Sequence, residues 1–147
     1  MCTRRDPRLY RKYASQRWAW KVFKVDTNNR PLGEWNNPVR LRMDEVSIAL
    51  PYGKVYMQGG EIAGGVFHCY AHERDAGGRS DGKYYVKCRV EIIEYWGAGI
   101  GVYIPVPVIL AKRIRIHSRD WQQALQSWSW LTMRCTISSM SKRNCFI

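Results

Sequence analysis

The sequence predicts an α+β domain: a mostly antiparallel sheet of five or six strands, one C-terminal helix and a basic N-terminal arm. Three observations carry this. Tyr84 to Ile93 alternates strictly, with Tyr84, Val86, Cys88, Val90 and Ile92 on one face and Tyr85, Lys87, Arg89 and Glu91 on the other. That is the pattern of an antiparallel strand with one wet side. Val102 to Leu110 alternates again, with Val102, Ile104, Val106 and Val108 on one side, and Ile114 and Ile116 continue it past Arg113 and Arg115. After Ser118 the period changes. Trp121, Ala124, Leu125, Trp128 and Leu131 fall on one face of a helix, with Ser118 as its N-cap and Asp120 at the positive end of the dipole. The chain has 147 residues and is 46% apolar, enough for one domain with a real core.

The remaining elements follow in order. Residues 1–17 read as a basic arm, separate from a single domain over 18–147. Within the arm Arg8, Arg11 and Lys12 fall at helical spacing, as do Leu9 and Tyr13, which suits either a short helix that forms on binding or a solvated, disordered terminus. Trp18 to Val25 is rich in β-formers. Trp18, Trp20 and Val22 alternate there with Ala19 and Lys21, as in a half-buried strand. Asp26 to Asn29 and Arg30-Pro31-Leu32-Gly33 give a hairpin loop. Val39, Leu41 and Met43 alternate with Arg40 and Arg42 as a second strand, and Asp44 to Leu50 suits either a strand or a helical turn. Val66 to Tyr70 reads as a short strand, and His72 to Ala76 as one helical turn stopped by Gly77-Gly78. The apolar run from Gly97 to Ala111 reads as a turn followed by a strand. Pro105 and Pro107 cannot donate to a ladder, which makes that stretch an edge strand or an extended segment.

Charge is the strongest functional signal. Residues 1–25 carry eight Arg or Lys and one acid, residues 26–110 nine and ten, and residues 111–147 seven and one; the sums +7, −1 and +6 make the net +12. A neutral body with basic ends is the composition of a folded domain that offers positive surface to a polyanion. Rings are interleaved with those charges. Tyr10, Tyr13 and Trp18 lie among Arg8, Arg11, Lys12, Arg17 and Lys21, and Lys112, Arg113, Arg115, His117 and Arg119 precede Trp121. Cations neutralise phosphates and rings stack on unpaired bases.

Other chemistries have less support. His68, Cys69, His72 and Cys88 are possible metal ligands, but paired C-x-x-C spacing is missing and no metal or cofactor is expected. A hydrolase could be drawn from Cys69 or Ser80 with His68, His72 or His117, yet no spacing singles these out and no catalytic residue is assigned. The glycines at 77, 78 and 82 do not form a phosphate loop. Five cysteines, an odd number, and an N-terminus without an apolar leader point to free thiols in a cytoplasmic setting. No apolar run reaches the roughly 20 residues a spanning helix needs.

Gly65-Val66-Phe67-His68-Cys69-Tyr70, Asp75-Ala76, Val86 to Val90 and Trp96-Gly97 together resemble a small, uncharacterised domain of bacterial and phage proteins. Phe67 is inserted before His68 relative to that pattern. The resemblance covers Gly65 to Tyr103, about a quarter of the chain. It implies a phage or bacterial setting, hence a host cytoplasm, and a structural part in the sheet for His68 and a Trp96-Gly97 turn. It implies no activity.

The expected function is therefore non-enzymatic binding of nucleic acid, RNA or a ribonucleoprotein ahead of DNA, through the phosphate backbone. Arg4, Arg5, Arg8, Arg11, Lys12 and Arg17 from one end and Arg113 and Arg115 from the other are the expected contacts. One alternative is a phage-encoded interaction protein that docks on a host nucleoprotein or defence complex through an acidic patch. Another is a small nucleotide-directed enzyme using His68 with Glu91 or Glu94. A membrane partner is not expected.

Overall fold

The computed structural model describes residues 2–33, 40–49, 56–58, 60–77 and 85–127. Trp128, Leu131, Ser80, Tyr84 and the glycines at 78 and 82, all singled out above, lie outside those residues. The α+β class holds. The described residues contain nine strands in one sheet, more than five or six because several are only two to four residues long. They are β1 (Thr3–Arg5), β2 (Trp18–Val25), β3 (Pro31–Leu32), β4 (Val46–Ile48), β5 (Tyr56–Gln58), β6 (Glu61–Gly64), β7 (Phe67–Tyr70), β8 (Tyr85–Gly101) and β9 (Pro107–Arg115), all paired antiparallel. Helices α1 (Pro7–Tyr13) and α2 (Glu73–Gly77) interrupt the series, and α3 (118–127) follows it.

The 17-residue strand β8 is the spine. Along one edge it pairs first with β2, from Lys24 opposite Tyr85 to Trp18 opposite Glu91, and at its far end with β1, from Arg5 opposite Gly99 to Thr3 opposite Gly101. Helix α1 bridges the stretch between. Asp6 caps it by accepting the Arg8 N–H at 2.9 Å, and Pro7 sits where a missing N–H costs nothing. Along the other edge β8 pairs with β9, from Glu91 opposite Arg115 to Ile100 opposite Pro107. Strand β9 pairs onward with β7, and Tyr70 of β7 lies opposite Trp20 of β2, so β2, β8, β9 and β7 close into a ring.

Three expectations are corrected here. Trp96-Gly97 is not a turn. The register shifts between Ile92 and Gly97 are bulges within a strand that continues to Gly101. Strand β9 is not an edge: it is paired on both sides, because Pro105 lies in the turn before it and Pro107 is its first residue, where no ladder bond is lost. The N-terminal segment is not a detached arm. β1 is inserted between β8 and β6, and Thr3 and Tyr13 are buried. β1 comes so close to β8 that a Cβ on Gly99 would fall on the Arg4 carbonyl, which is why glycine stands there.

The main core combines Ala19 and Phe23 of β2, Phe67 and Cys69 of β7, Val86, Cys88 and Val90 of β8, Ile109, Ala111 and Ile114 of β9, and Trp121 of α3. Trp121 meets Phe23 edge to face at 5.8 Å, and its indole N–H donates to the Asn29 carbonyl at 2.8 Å. A second cluster, Ile62, Val66, Val108 and Leu110, lies under Trp96. Strand β2 turns its side chains opposite to the hydropathy pattern. Ala19, Lys21 and Phe23 face the core, while Trp18, Trp20 and Val22 are half-buried. Hydrophobicity favours burying two tryptophans, but the main core takes Ala19 and the smaller ring of Phe23. Val39 of the expected second strand lies outside the described residues; among residues 40–43 Met43 alone makes a bridge, to Ile116, and the strand that follows is β4, Val46–Ile48.

Candidate nucleic-acid interface

The outer face of β2, β8 and the end of β9 brings the two basic ends together. In an antiparallel pair, directly opposite residues share a face. The register therefore groups Trp18 with Glu91 and Arg115, and Trp20 with Arg89. Glu91 sits at the centre with its carboxylate almost fully covered. Arg17 Nε donates to it at 2.6 Å, Arg115 at 3.3 Å, and His117 Nε2 lies 2.9 Å away. Burial raises the Glu91 pKa, but the hydrogen bonds from His117 and Arg17 and their charges outweigh it and hold the carboxyl below the usual carboxylate range.

Trp18, opposite Glu91 in the register, is a platform for cations. The Arg89 guanidinium is 4.1 Å from its ring centroid, that of Arg17 is 5.1 Å away, and the His117 ring is tilted at 5.4 Å. Arg89 is held in turn by Asp120 of α3 at 3.2 Å. The first residue of α3 is fixed by tertiary contact. Asp44 accepts the Ser118 N–H at 2.9 Å and also the Ser118 hydroxyl. Ser118 is thus the capped residue rather than the cap, and Asp44 holds a left-handed backbone (φ 62°) to reach it.

Every expected contact from the N-terminal end is exposed: Arg4, Arg5, Arg8, Arg11, Lys12 and Arg17. They run beside β8. Arg4 and Arg5 lie on β1, Arg8, Arg11 and Lys12 on α1, and Arg17 at the start of β2. The helix is seated by Tyr10, whose ring meets that of Tyr95 at 5.3 Å and whose carbonyl accepts the Tyr95 hydroxyl at 2.7 Å. Arg5 is stacked on Trp96 at 4.8 Å. Several of these cations are already engaged: Arg4 with Glu61 at 3.4 Å, Arg113 with Glu94 at 2.9 Å, and Arg17 and Arg115 with Glu91. Among the described residues, Arg5, Arg8, Arg11 and Lys12 have no ion pair.

The residues considered for other chemistry are held apart. His68 is buried, its Nδ1 2.8 Å from the Thr3 hydroxyl and its carbonyl accepting the Lys21 ammonium at 3.0 Å. Its register partner on β9 is Leu110, whereas that of Glu91 is Arg115, so the two do not form an acid–base pair. Glu94 is engaged by Arg113 instead. Burial, with a lesser push from Asp120, drives the Cys88 thiol up to about 12, far from a thiolate at neutral pH. His72 meets the Tyr13 hydroxyl at 3.0 Å. Among the described residues no group of three or more His, Cys, Asp or Glu could hold a metal ion, and no helix is long and apolar enough to cross a membrane.

No family model, curated protein or solved structure matches this chain. The likeness of Gly65 to Tyr103 to the small phage and bacterial domain therefore rests on its short motifs alone. Arg89 and Glu91 escape a count of charge by segments because they come from the neutral middle of the chain, and Asp120 because an acid at the start of a helix reads as a partner of the dipole. The available signal was the Tyr85, Lys87, Arg89, Glu91 face, already assigned to the wet side. Lys21, which its sequence neighbours place among the interface charges, is buried.

Proposed function

We propose that this protein binds nucleic acid through its phosphate backbone, along a band of cations beside β8. The observation that carries the reading is the meeting of the two basic ends on one carboxylate: Arg17 and Arg115 both bind Glu91. Charges distant in sequence thereby add to a single positive surface rather than two opposite ones, as phosphate recognition requires. Within the band the roles divide. Arg5, Arg8, Arg11 and Lys12, exposed and without carboxylate partners among the described residues, are the phosphate contacts. Arg17, Arg113 and Arg115 spend part of their charge on Glu91 and Glu94 and position the surface.

The test is fluorescence anisotropy with RNA and DNA oligonucleotides over a range of salt, for the parent chain and for a variant with Arg8, Arg11 and Lys12 all changed to Gln. If these three neutralise phosphates, the log–log salt slope becomes shallower by about 2 to 3 and affinity at low salt falls at least tenfold. An unchanged slope would remove α1 from the interface. Absence of binding by the parent chain would turn the positive surface towards an acidic protein partner.

A further inference from the structure

We infer that the hairpin tip 102–106 is a base-stacking finger, and that the ligand is single-stranded nucleic acid with an unpaired base laid on Tyr103. This rests on the proposed nucleic-acid function and adds which form of nucleic acid is bound. Tyr103 is 80% exposed, more than any other large hydrophobic residue described, and Ile104 beside it is 37% exposed. The tip is nevertheless fixed. Gly101 N–H donates to the Val106 carbonyl at 3.0 Å, Val106 N–H to the Ile104 carbonyl at 2.8 Å, and Val102 N–H to the Cys2 carbonyl at 3.0 Å. The backbone that carries the ring is held by these bonds, so stacking on it costs little further backbone entropy.

Its position names the ligand. The bond from Val102 to Cys2 ties the tip to the start of β1, and Thr3, Arg4 and Arg5 follow directly opposite Gly101, Ile100 and Gly99. From Tyr103 the path continues along β1 to Arg5 and then along α1 to Arg8, Arg11 and Lys12, roughly 20 Å at ordinary strand and helix rises; Arg4, the alternate residue of β1, is paired with Glu61 instead. Arg5 is held in place by Trp96. A protruding ring at the head of a row of cations matches a strand that offers a free base face and a run of phosphates. In a duplex the base faces are stacked away, and the same ring finds no partner.

The experiment compares Tyr103→Ala and Tyr103→Phe with the parent chain. The probes are an RNA of about ten nucleotides, the DNA of the same sequence, and the duplex of each. Circular dichroism and thermal melting confirm that the exposed substitutions leave the fold intact. The expected result is that Tyr103→Ala weakens single-strand binding roughly 5- to 100-fold at unchanged salt slope. Tyr103→Phe stays near the parent, and duplex binding barely moves. The RNA and DNA arms show which sugar the strand carries. Single-strand binding that keeps its salt slope but ignores Tyr103→Ala would overturn the stacking finger and leave the phosphate band standing. So would equal losses for Phe and Ala. A parent chain that binds none of the four probes would overturn both.

Discussion

Glu91 is the residue on which the two ends of the chain depend. It is a carboxylate on the wet face of a strand, yet only 4% exposed, because Arg17, Arg115 and His117 close over it. Its folded pKa lies below the ordinary value of 4.5, so on acidification the unfolded chain takes up the proton first. The stability it contributes is then complete above about pH 5, declines as pH falls through the usual carboxylate range, and is lost below the folded pKa. Replacing Glu91 by Gln should lower stability at neutral pH by about 1 kcal/mol, modest because Arg17 remains largely in water. Urea titrations at pH 7 and near pH 3 should show this penalty at the first pH and little of it at the second. An equal penalty at both would mean that Glu91 acts by shape rather than by charge. Asp44 adds to the same acid sensitivity, since its hydrogen bonds from Ser118 hold its pKa low as well. At this scale the sequence was legible in part. Period two placed Glu91 on the outer face with Lys87 and Arg89, but no local pattern announces that an arginine from each end of the chain will meet there.

Between β1 and β8, a strand three residues long is held by close backbone approach as much as by its side chains. Gly99 makes that approach possible. Gly99→Ala should therefore push β1 off the spine, at a cost of roughly 1–3 kcal/mol, the usual range for overpacking a closed site. Amide exchange would report it as loss of protection at Thr3 and Arg5 ahead of β2. If protection falls uniformly or not at all, β1 does not depend on Gly99. Element by element, the wet-faced strand, the short strand Phe67–Tyr70, the helical turn after it and the hairpin after β2 follow from alternation and turn residues, and they were expected. The bulged continuation of β8 through Trp96 and Gly97 was not. A glycine beside an aromatic reads as a turn until a neighbouring strand is present to carry the ladder across it.

Across the whole molecule, the basic N-terminus is built into the sheet. Thr3 is buried and bonded to His68, α1 covers the bulged part of β8 with Tyr10, and Tyr13 is buried against His72. Deleting residues 1–17 should accordingly collapse the cooperative melting transition, not merely weaken ligand binding. Retention of a parent-like transition would show that the rest of the chain folds without it. By itself the sequence determined the fold class, the faces of the central strand and the separation of charge into two ends. Those are properties of neighbours along the chain, fixed by side-chain period and composition. The tertiary structure decided where the two charged ends lie, which side of β2 is buried, that a lysine enters the core, and that β9 runs inside the sheet. Each of these depends on pairing between segments far apart in sequence, and register across a sheet is set by the partner strand as much as by the strand itself.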